Sequence, residues 1–351
     1  MKVLLVRLSS LGDVVLATAA VEALNRLLPR AEVHVATRAP YAELFRAHPG
    51  VGRVITWDPA AGVAGLARAV RRGRYARAVD LHGSLRTLAL RWLCRATPWS
   101  RYRKGAVGRR LAVLSPAVAR RLPPVSVVDR YLAALEPLGI RPRGVRPRLV
   151  PGPAAEARAE AWLTGKESRG LPWIALAPGA RWPCKAWPAV HWAALAGEIR
   201  AAGLGVPVFV GGAGDRGLAA RIRQAAGGVG VDLTGRISLL ETAAVLGRCA
   251  AVVTNDSAPL HLAEAVGTPA VALFGPTVGG FGFSPLDPAS VVLERDLPCR
   301  PCSLHGEKPC RRGDQGCLAA ISAAEVRQAL AGLVEGAAGA RAPGRGAPWA
   351  P

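Results

Sequence analysis

Short apolar runs recur along the chain, and after each one the apolar positions return at the three- and four-residue spacing of a helix. Residues 3–8 are apolar apart from Arg7, and an amphipathic stretch follows the polar Ser9-Ser10 pair and continues to about Leu28. These read as a strand and a helix. The alternation repeats with strands at 33–36, 53–56 and 77–81 and helices at 41–47 and 63–72. A helix at 127–138 follows, and then 141–148, rich in Pro, Arg and Gly, reads as a crossing between domains.

Beyond it the pattern restarts. A helix is expected at 154–163, strands at 173–177, 206–210, 251–254 and 270–274, and a helix ending near Gly203. Ser238 with Glu241 and Ser322 with Glu325 have the spacing of capping boxes, the second opening a last helix to about Val334. Repeated strand-helix alternation produces parallel sheets covered on both faces. The fold expected is therefore α/β, with two doubly wound Rossmann-like domains at 1–150 and 151–335 facing each other across a cleft. Residues 336–351, mostly Gly, Ala, Pro and Arg, are expected to form a disordered tail.

Charge and cysteine content modify this picture. Residues 1–150 hold 27 Lys and Arg against 8 Asp and Glu, whereas 151–351 hold 19 against 16. So one-sided a field implies an anionic partner for the N-terminal half. Seven basic residues lie between Arg91 and Arg110 in a region of poor periodicity, read as a basic loop that could dock phosphates, with Arg103 and Lys104 in it. Cys299, Cys302, Cys310 and Cys317 have a spacing that could close on zinc, but the second pair is too widely separated for a zinc ribbon, and reduced thiols are the default. No apolar run of about 18 residues occurs, so no membrane-spanning helix is expected. The N-terminal residues read as a buried strand rather than a signal peptide, which predicts a cytoplasmic protein.

The candidate chemistry lies in the loops. Thr254-Asn255-Asp256-Ser257-Ala258-Pro259-Leu260-His261 passes from an apolar strand to a helix start with Pro in the first turn. Backbone N–H groups without partners and the helix dipole suit such a place to an anion, here read as a diphosphate. Lys185, one of five lysines among 41 arginines, sits in a Trp- and Pro-rich loop and could stabilise a departing diphosphate. In the first domain, Gly12 could supply an unusual backbone conformation, Asp13 falls in a first helical turn, and 80–86 ends a strand where open sheets place ligands.

Taken in order, Ser9-Ser10-Leu11-Gly12-Asp13, Lys185-Ala186-Trp187-Pro188, Asn255 to His261 and Phe274-Gly275-Pro276-Thr277 resemble glycosyltransferase family 9, the lipopolysaccharide heptosyltransferases, over residues 1 to about 330. The Asn-Asp-Ser form of the third motif looks more like heptosyltransferase II than I. The resemblance implies a GT-B enzyme that inverts configuration at the anomeric carbon, uses ADP-heptose and needs neither cofactor nor catalytic metal. It implies Asp13 as general base, and Lys185, Asn255, Asp256, Ser257, Ala258, His261 and Thr277 as donor-binding residues. The acceptor, a phosphorylated lipid A–Kdo core at the cytoplasmic face of the inner membrane, would meet Ser10, Gly12, His82, Arg86, Arg103 and Lys104. A monomer peripheral to that membrane is expected.

Two other classes are set aside. A nicotinamide-dependent dehydrogenase should show G-x-G-x-x-G after its first strand, where this chain has Ser-Ser-Leu-Gly-Asp. A nucleic-acid-binding protein would explain the charge, but aromatic residues are only 5% and no binding module is visible.

Overall fold

A computed structural model describes residues 1–164, 168 and 170–340. The chain divides into two units: Met1–Glu156 together with Gly279–Ser284, and Ala157–Val278 together with the residues from Pro285 on.

The first unit is built on a five-stranded parallel sheet with β1 (Lys2–Val6), β2 (Glu32–Arg38), β3 (Arg53–Trp57), β4 (Arg77–Asp80) and β5 (Trp99–Arg101). Their order is β3-β2-β1-β4-β5. A central strand with helices over both faces must be apolar throughout, and Val3, Leu4, Leu5 and Val6 of β1 are all buried. Leu4 and Val6 join Leu8, Ile55, Leu66 and Val70 in one core.

The second unit carries β6 (Trp173–Ala177), β7 (Val206–Phe209), β8 (Val231–Asp232), β9 (Ala251–Asn255), β10 (Ala270–Phe274) and β11 (Val291–Glu294). All six are parallel, in the order β11-β10-β9-β6-β7-β8. Ile174, Leu176, Val253 and Leu273 meet Trp187 and Trp192 in its core. In each sheet the strand order reverses once, between β1 and β4 and between β6 and β9. At such a reversal the loops leaving the two strands' carboxyl ends diverge, which opens a ligand crevice.

Several expected elements change on inspection. The basic stretch read as a loop contains β5 and the helix Ala106–Leu114, which the helix Pro116–Arg120 follows; just before it lies the helix Leu85–Leu93. Arginine favours helices about as well as leucine does, so the charge hid the pattern without opposing it. The first helix divides at Ala17 into Leu11–Leu16 and Thr18–Leu27, and the helix read at 127–138 is Val127–Ala133 plus a separate 3-10 turn at Glu136–Leu138. Ser238 and Glu241 do form a capping box, with Ser238 N–H donating to Glu241 at 2.8 Å and Glu241 N–H to the Ser238 hydroxyl at 3.2 Å. At the second such motif the Glu325 N–H likewise donates to the Ser322 hydroxyl at 3.2 Å, and the Glu325 carboxylate also pairs with Arg295. The last helix is Ala323–Ala340, extended through an alanine-rich segment past Val334; the remainder of the expected tail, 341–351, lies outside the described residues. Among the described residues no helix is long and apolar enough to cross a membrane.

Candidate active site

At the reversal point of the first unit, Arg7 leaves the end of β1 with its guanidinium buried. It donates to the Leu81 carbonyl at 2.6 Å, lies 5.5 Å from the centre of the Tyr131 ring and pairs with Asp13 at 2.7 Å. Burial is the largest single influence and lowers its pKa, but Asp13 together with the Tyr131 and Tyr102 hydroxyls outweighs it, so the net shift is above the ordinary arginine value.

Asp13 is the third residue of the helix Leu11–Leu16, capped by Ser10 in an extended conformation. The Ser10 hydroxyl donates to the same Asp13 oxygen at 2.8 Å, and the Tyr131 hydroxyl donates to the other at 3.2 Å. The Ser10 backbone N–H adds a longer contact at 3.4 Å, and donors on both oxygens fix the carboxylate in one orientation. Gly12 is an ordinary buried helical residue and not the unusual backbone position expected, because the helix begins one residue before it.

The loop after β4 completes this cluster. Buried Asp80 accepts the backbone N–H groups of His82 and Gly83 at 2.9 and 2.8 Å, closing a tight turn. Gly83 has a φ of +56°, and a Cβ there would lie 3.2 Å from the Lys104 side chain, so glycine lets that lysine approach. Burial first, then the charges of Arg7 and Lys104, lower the His82 pKa to about 4, so this imidazole is neutral near pH 7. Burial and Arg7 likewise lower the Lys104 pKa. Arg103 is exposed, and Arg86, also exposed, extends over the Trp57 ring at 5.9 Å.

The second unit's reversal point is stapled by Asn255 at the end of β9. Its Oδ1 accepts from the Trp187 N–H at 3.0 Å, while its Nδ2 donates to the carbonyls of Pro178 at 2.9 Å and Gly179 at 3.3 Å. A backbone N–H can only donate and a carbonyl can only accept, so the amide fits one way round. Asn255→Ala is expected to cost about 1–3 kcal/mol through buried groups left unpaired. Asn255→Asp should cost more, since it sets a carboxylate oxygen against two carbonyls; denaturant unfolding of the two variants would check the order.

Next to this staple, Lys185 Nζ lies 2.5 Å from Asp256 Oδ2, and the Thr277 hydroxyl donates to the same oxygen at 2.6 Å. Both members of the ion pair are largely withdrawn from solvent. Ser257 is the N-cap of the helix Ala258–Ala265 without a side-chain capping bond; Pro259 has no N–H and the Leu260 N–H donates to the Ser257 carbonyl at 3.2 Å, which leaves the Ser257 and Ala258 N–H groups to face an anion. His261 is buried one turn on, with Nδ1 3.7 Å from Glu264. Trp187 packs edge-on to Trp192 and donates to the Ile321 carbonyl at 2.9 Å, so its indole holds the loop in place. The Trp182 ring carries Arg181 above it at 5.3 Å.

The cysteine-rich segment braces this site. Arg300, itself buried, donates to the carbonyls of Gly275 at 2.5 Å and Thr277 at 2.7 Å and pairs with Glu294 at 2.6 Å. Gly306 lies against the Lys185 stem, where a Cβ would come within 2.8 Å of Cγ, and the Cys184 thiol donates to the Lys308 carbonyl at 3.1 Å. All seven cysteines are free thiols, and burial pushes the Cys317 pKa up to about 11. Among the described residues no group of three or more His, Cys, Asp or Glu is placed to hold a metal.

The structure places Asp13 at the first reversal point and brings Lys185, Asn255, Asp256 and Thr277 together at the second, with supporting residues to which sequence reasoning did not assign a role. Arg7 gave a signal as the one charge in an apolar strand run, and Asp80 as a charge at a strand end. Tyr131 and Arg300 gave none, because their partners come from distant parts of the chain.

The family model of glycosyltransferase family 9 (heptosyltransferase) matches residues 63–310. The chain belongs to glycosyltransferase family 9. Lipopolysaccharide heptosyltransferase 1 of Pseudomonas aeruginosa is 29% identical over 318 residues, 86% of each chain. Lipooligosaccharide heptosyltransferase 2 of Haemophilus influenzae is 28% identical over 299 residues, 79% of this chain and 84% of that one. The structure of the ADP-heptose lipopolysaccharide heptosyltransferase II of Escherichia coli superposes with a TM-score of 0.75 at 24% identity, covering 96% of this chain and 99% of that one. The two parallel sheets are those of the GT-B fold, and this family 9 protein is a glycosyltransferase. Relatives numbered 1 and 2 match at nearly equal identity.

Proposed function

We propose that this family 9 enzyme transfers heptose from ADP-heptose to the lipid A–Kdo inner core of lipopolysaccharide, with inversion at the anomeric carbon. Inversion needs one displacement: the acceptor hydroxyl attacks the anomeric carbon from the face opposite the departing ADP, and its proton must go to a base. The observation that carries the reading is Asp13, partly accessible and held by Arg7, Ser10 and Tyr131, so that it meets an acceptor hydroxyl without reorienting. A carboxylate is by its chemistry a modest base. Such a base suffices where the leaving group is well advanced and the attacking hydroxyl has become acidic.

The departing diphosphate requires positive charge at its own end. Lys185 and the first-turn N–H groups at Ser257 and Ala258 supply it, with Asp256 and Thr277 holding the ammonium in place. A phosphate oxygen would join Asp256 as a second partner of Lys185. His261 is buried within the helix that follows the loop and Asn255 ties the end of β9 to Pro178 and Gly179, so both support the seat. In the first unit Lys104 and His82 border Asp13, suited to the polar, phosphorylated head of a membrane-borne acceptor.

The test is incubation with ADP-heptose and Kdo-lipid A, with and without one heptose already attached, read by mass spectrometry. A mass increase of one heptose on either acceptor is expected, and the acceptor that responds fixes the position served. Transfer to neither, together with no binding of ADP, would overturn the proposal.

A further inference from the structure

Two helices of the first unit turn apolar stripes outward. Ten large hydrophobic side chains are exposed among the described residues, and six of them belong to these helices: Leu85, Leu88 and Trp92 on Leu85–Leu93, and Val107, Leu111 and Leu114 on Ala106–Leu114. Steps of three, four and seven residues place each triad on one helical face. The opposite faces are occupied, with Thr87 and Leu90 buried on the first helix and Ala112 on the second. The outer stripes are therefore additional to the packing that the fold requires. They are far from marginal: Leu85 is 84%, Trp92 69% and Leu114 77% exposed.

The charge of the same segment is one-signed. Residues 81–128 contain ten Lys and Arg and no Asp or Glu. Arg86 and Arg91 flank the first stripe and Arg110 the second, as helical spacing requires. The two helices follow β4 and β5, which are parallel neighbours, so both start from the same carboxyl edge of the sheet that carries Asp13.

We propose that this face seats the protein on an anionic phospholipid bilayer, with the two apolar triads entering the headgroup boundary and the surrounding arginines meeting lipid phosphates. The chemistry fits that partner better than its competitors. Nucleic acid would satisfy the arginines but leave six large apolar side chains without a partner. A symmetric contact with a second copy would cover the apolar residues but bring two acid-free basic segments together. A bilayer with anionic lipid satisfies both features. The proposal deepens the reading of a membrane-borne acceptor by naming the surface, and vesicles free of any glycolipid test it separately.

The experiment is co-sedimentation of the full chain, at physiological ionic strength, with vesicles of phosphatidylcholine alone or with about 30 mol % phosphatidylglycerol. The protein should bind the anionic vesicles and bind the neutral ones weakly. Leu88→Ser with Trp92→Ser on one helix, and Leu111→Ser with Leu114→Ser on the other, should each weaken binding about tenfold or more. Because these side chains are exposed, thermal unfolding should be unchanged; two independent pairs keep the test open if one fails to fold. Absent binding of the parent protein, or equal binding by a folded variant, would overturn the proposal. A parent dimer that the same substitutions dissolve would overturn it as well, by assigning the stripes to a second copy.

Discussion

Replacing Asp13 with asparagine is expected to lower the turnover number by about 10²- to 10⁴-fold, the usual contribution of a positioned general base, while leaving ADP affinity within a factor of about 3. Asparagine keeps the size of the side chain but cannot take up the acceptor proton. The nucleotide's proposed seat lies at Lys185 and the 256–258 loop, in a different compact unit, so the substitution should not reach it directly. There is a structural cost to separate from the catalytic one. Arg7 is buried and loses its anionic partner, and removing one member of a buried ion pair costs about 3–5 kcal/mol. Thermal unfolding followed alongside steady-state kinetics distinguishes them: a folded variant that binds ADP and does not turn over carries the base assignment. Equal loss of ADP binding and turnover, or a rate within about tenfold of the parent in a folded variant, would remove Asp13 from that role.

The second large effect is expected at Lys185. Lys185→Met should reduce turnover by about 10²- to 10³-fold, since it removes charge aimed where the leaving diphosphate develops its own. Unlike Asp13→Asn, it should also weaken ADP binding, because the product carries the same phosphates. Arginine should not substitute for it. The Lys185 stem runs tightly against Gly306, and the Asp256–Thr277 arrangement receives a compact ammonium on one carboxylate oxygen, whereas a planar guanidinium needs a different geometry. Calorimetric titration with ADP, paired with kinetics on ADP-heptose, checks both halves. Unchanged ADP affinity in Lys185→Met would show that the lysine serves only Asp256.

What the sequence could disclose follows from how local each feature is. The strand-helix alternation is written in short-range apolar spacing, so both sheets and most of their strands were legible. The strands that escaped notice were β5, β8 and β11, which are two to four residues long and lack buried apolar runs. Loop chemistry was legible wherever the functional side chain and its backbone setting are adjacent, as at Asp256 to Ala258. The supports were not, because they arrive from elsewhere: Tyr131 reaches Asp13 across 118 positions, and Arg300 looks like any of 41 arginines until it is seen holding the Thr277 carbonyl. Arg86 shows the same limit, since its contact with the Trp57 ring joins residues 29 positions apart and no local pattern discloses it.

The return of Gly279–Ser284 to the first unit has a bearing on how the protein is made. Val127, at the start of the helix that carries Tyr131 to Asp13, donates its N–H to the Gly282 carbonyl at 2.8 Å, and Gly282 approaches so closely that a Cβ would lie 2.7 Å from the Val125 carbonyl oxygen. On a ribosome adding about 5–20 residues per second, that carbonyl follows the rest of the first unit by roughly ten seconds, after β6 to β10 have been synthesised. The N-terminal sheet can assemble early. The helix that orients the proposed base finds its last backbone partner only when most of the other sheet already exists, so the nascent chain acquires its sheet before its chemistry.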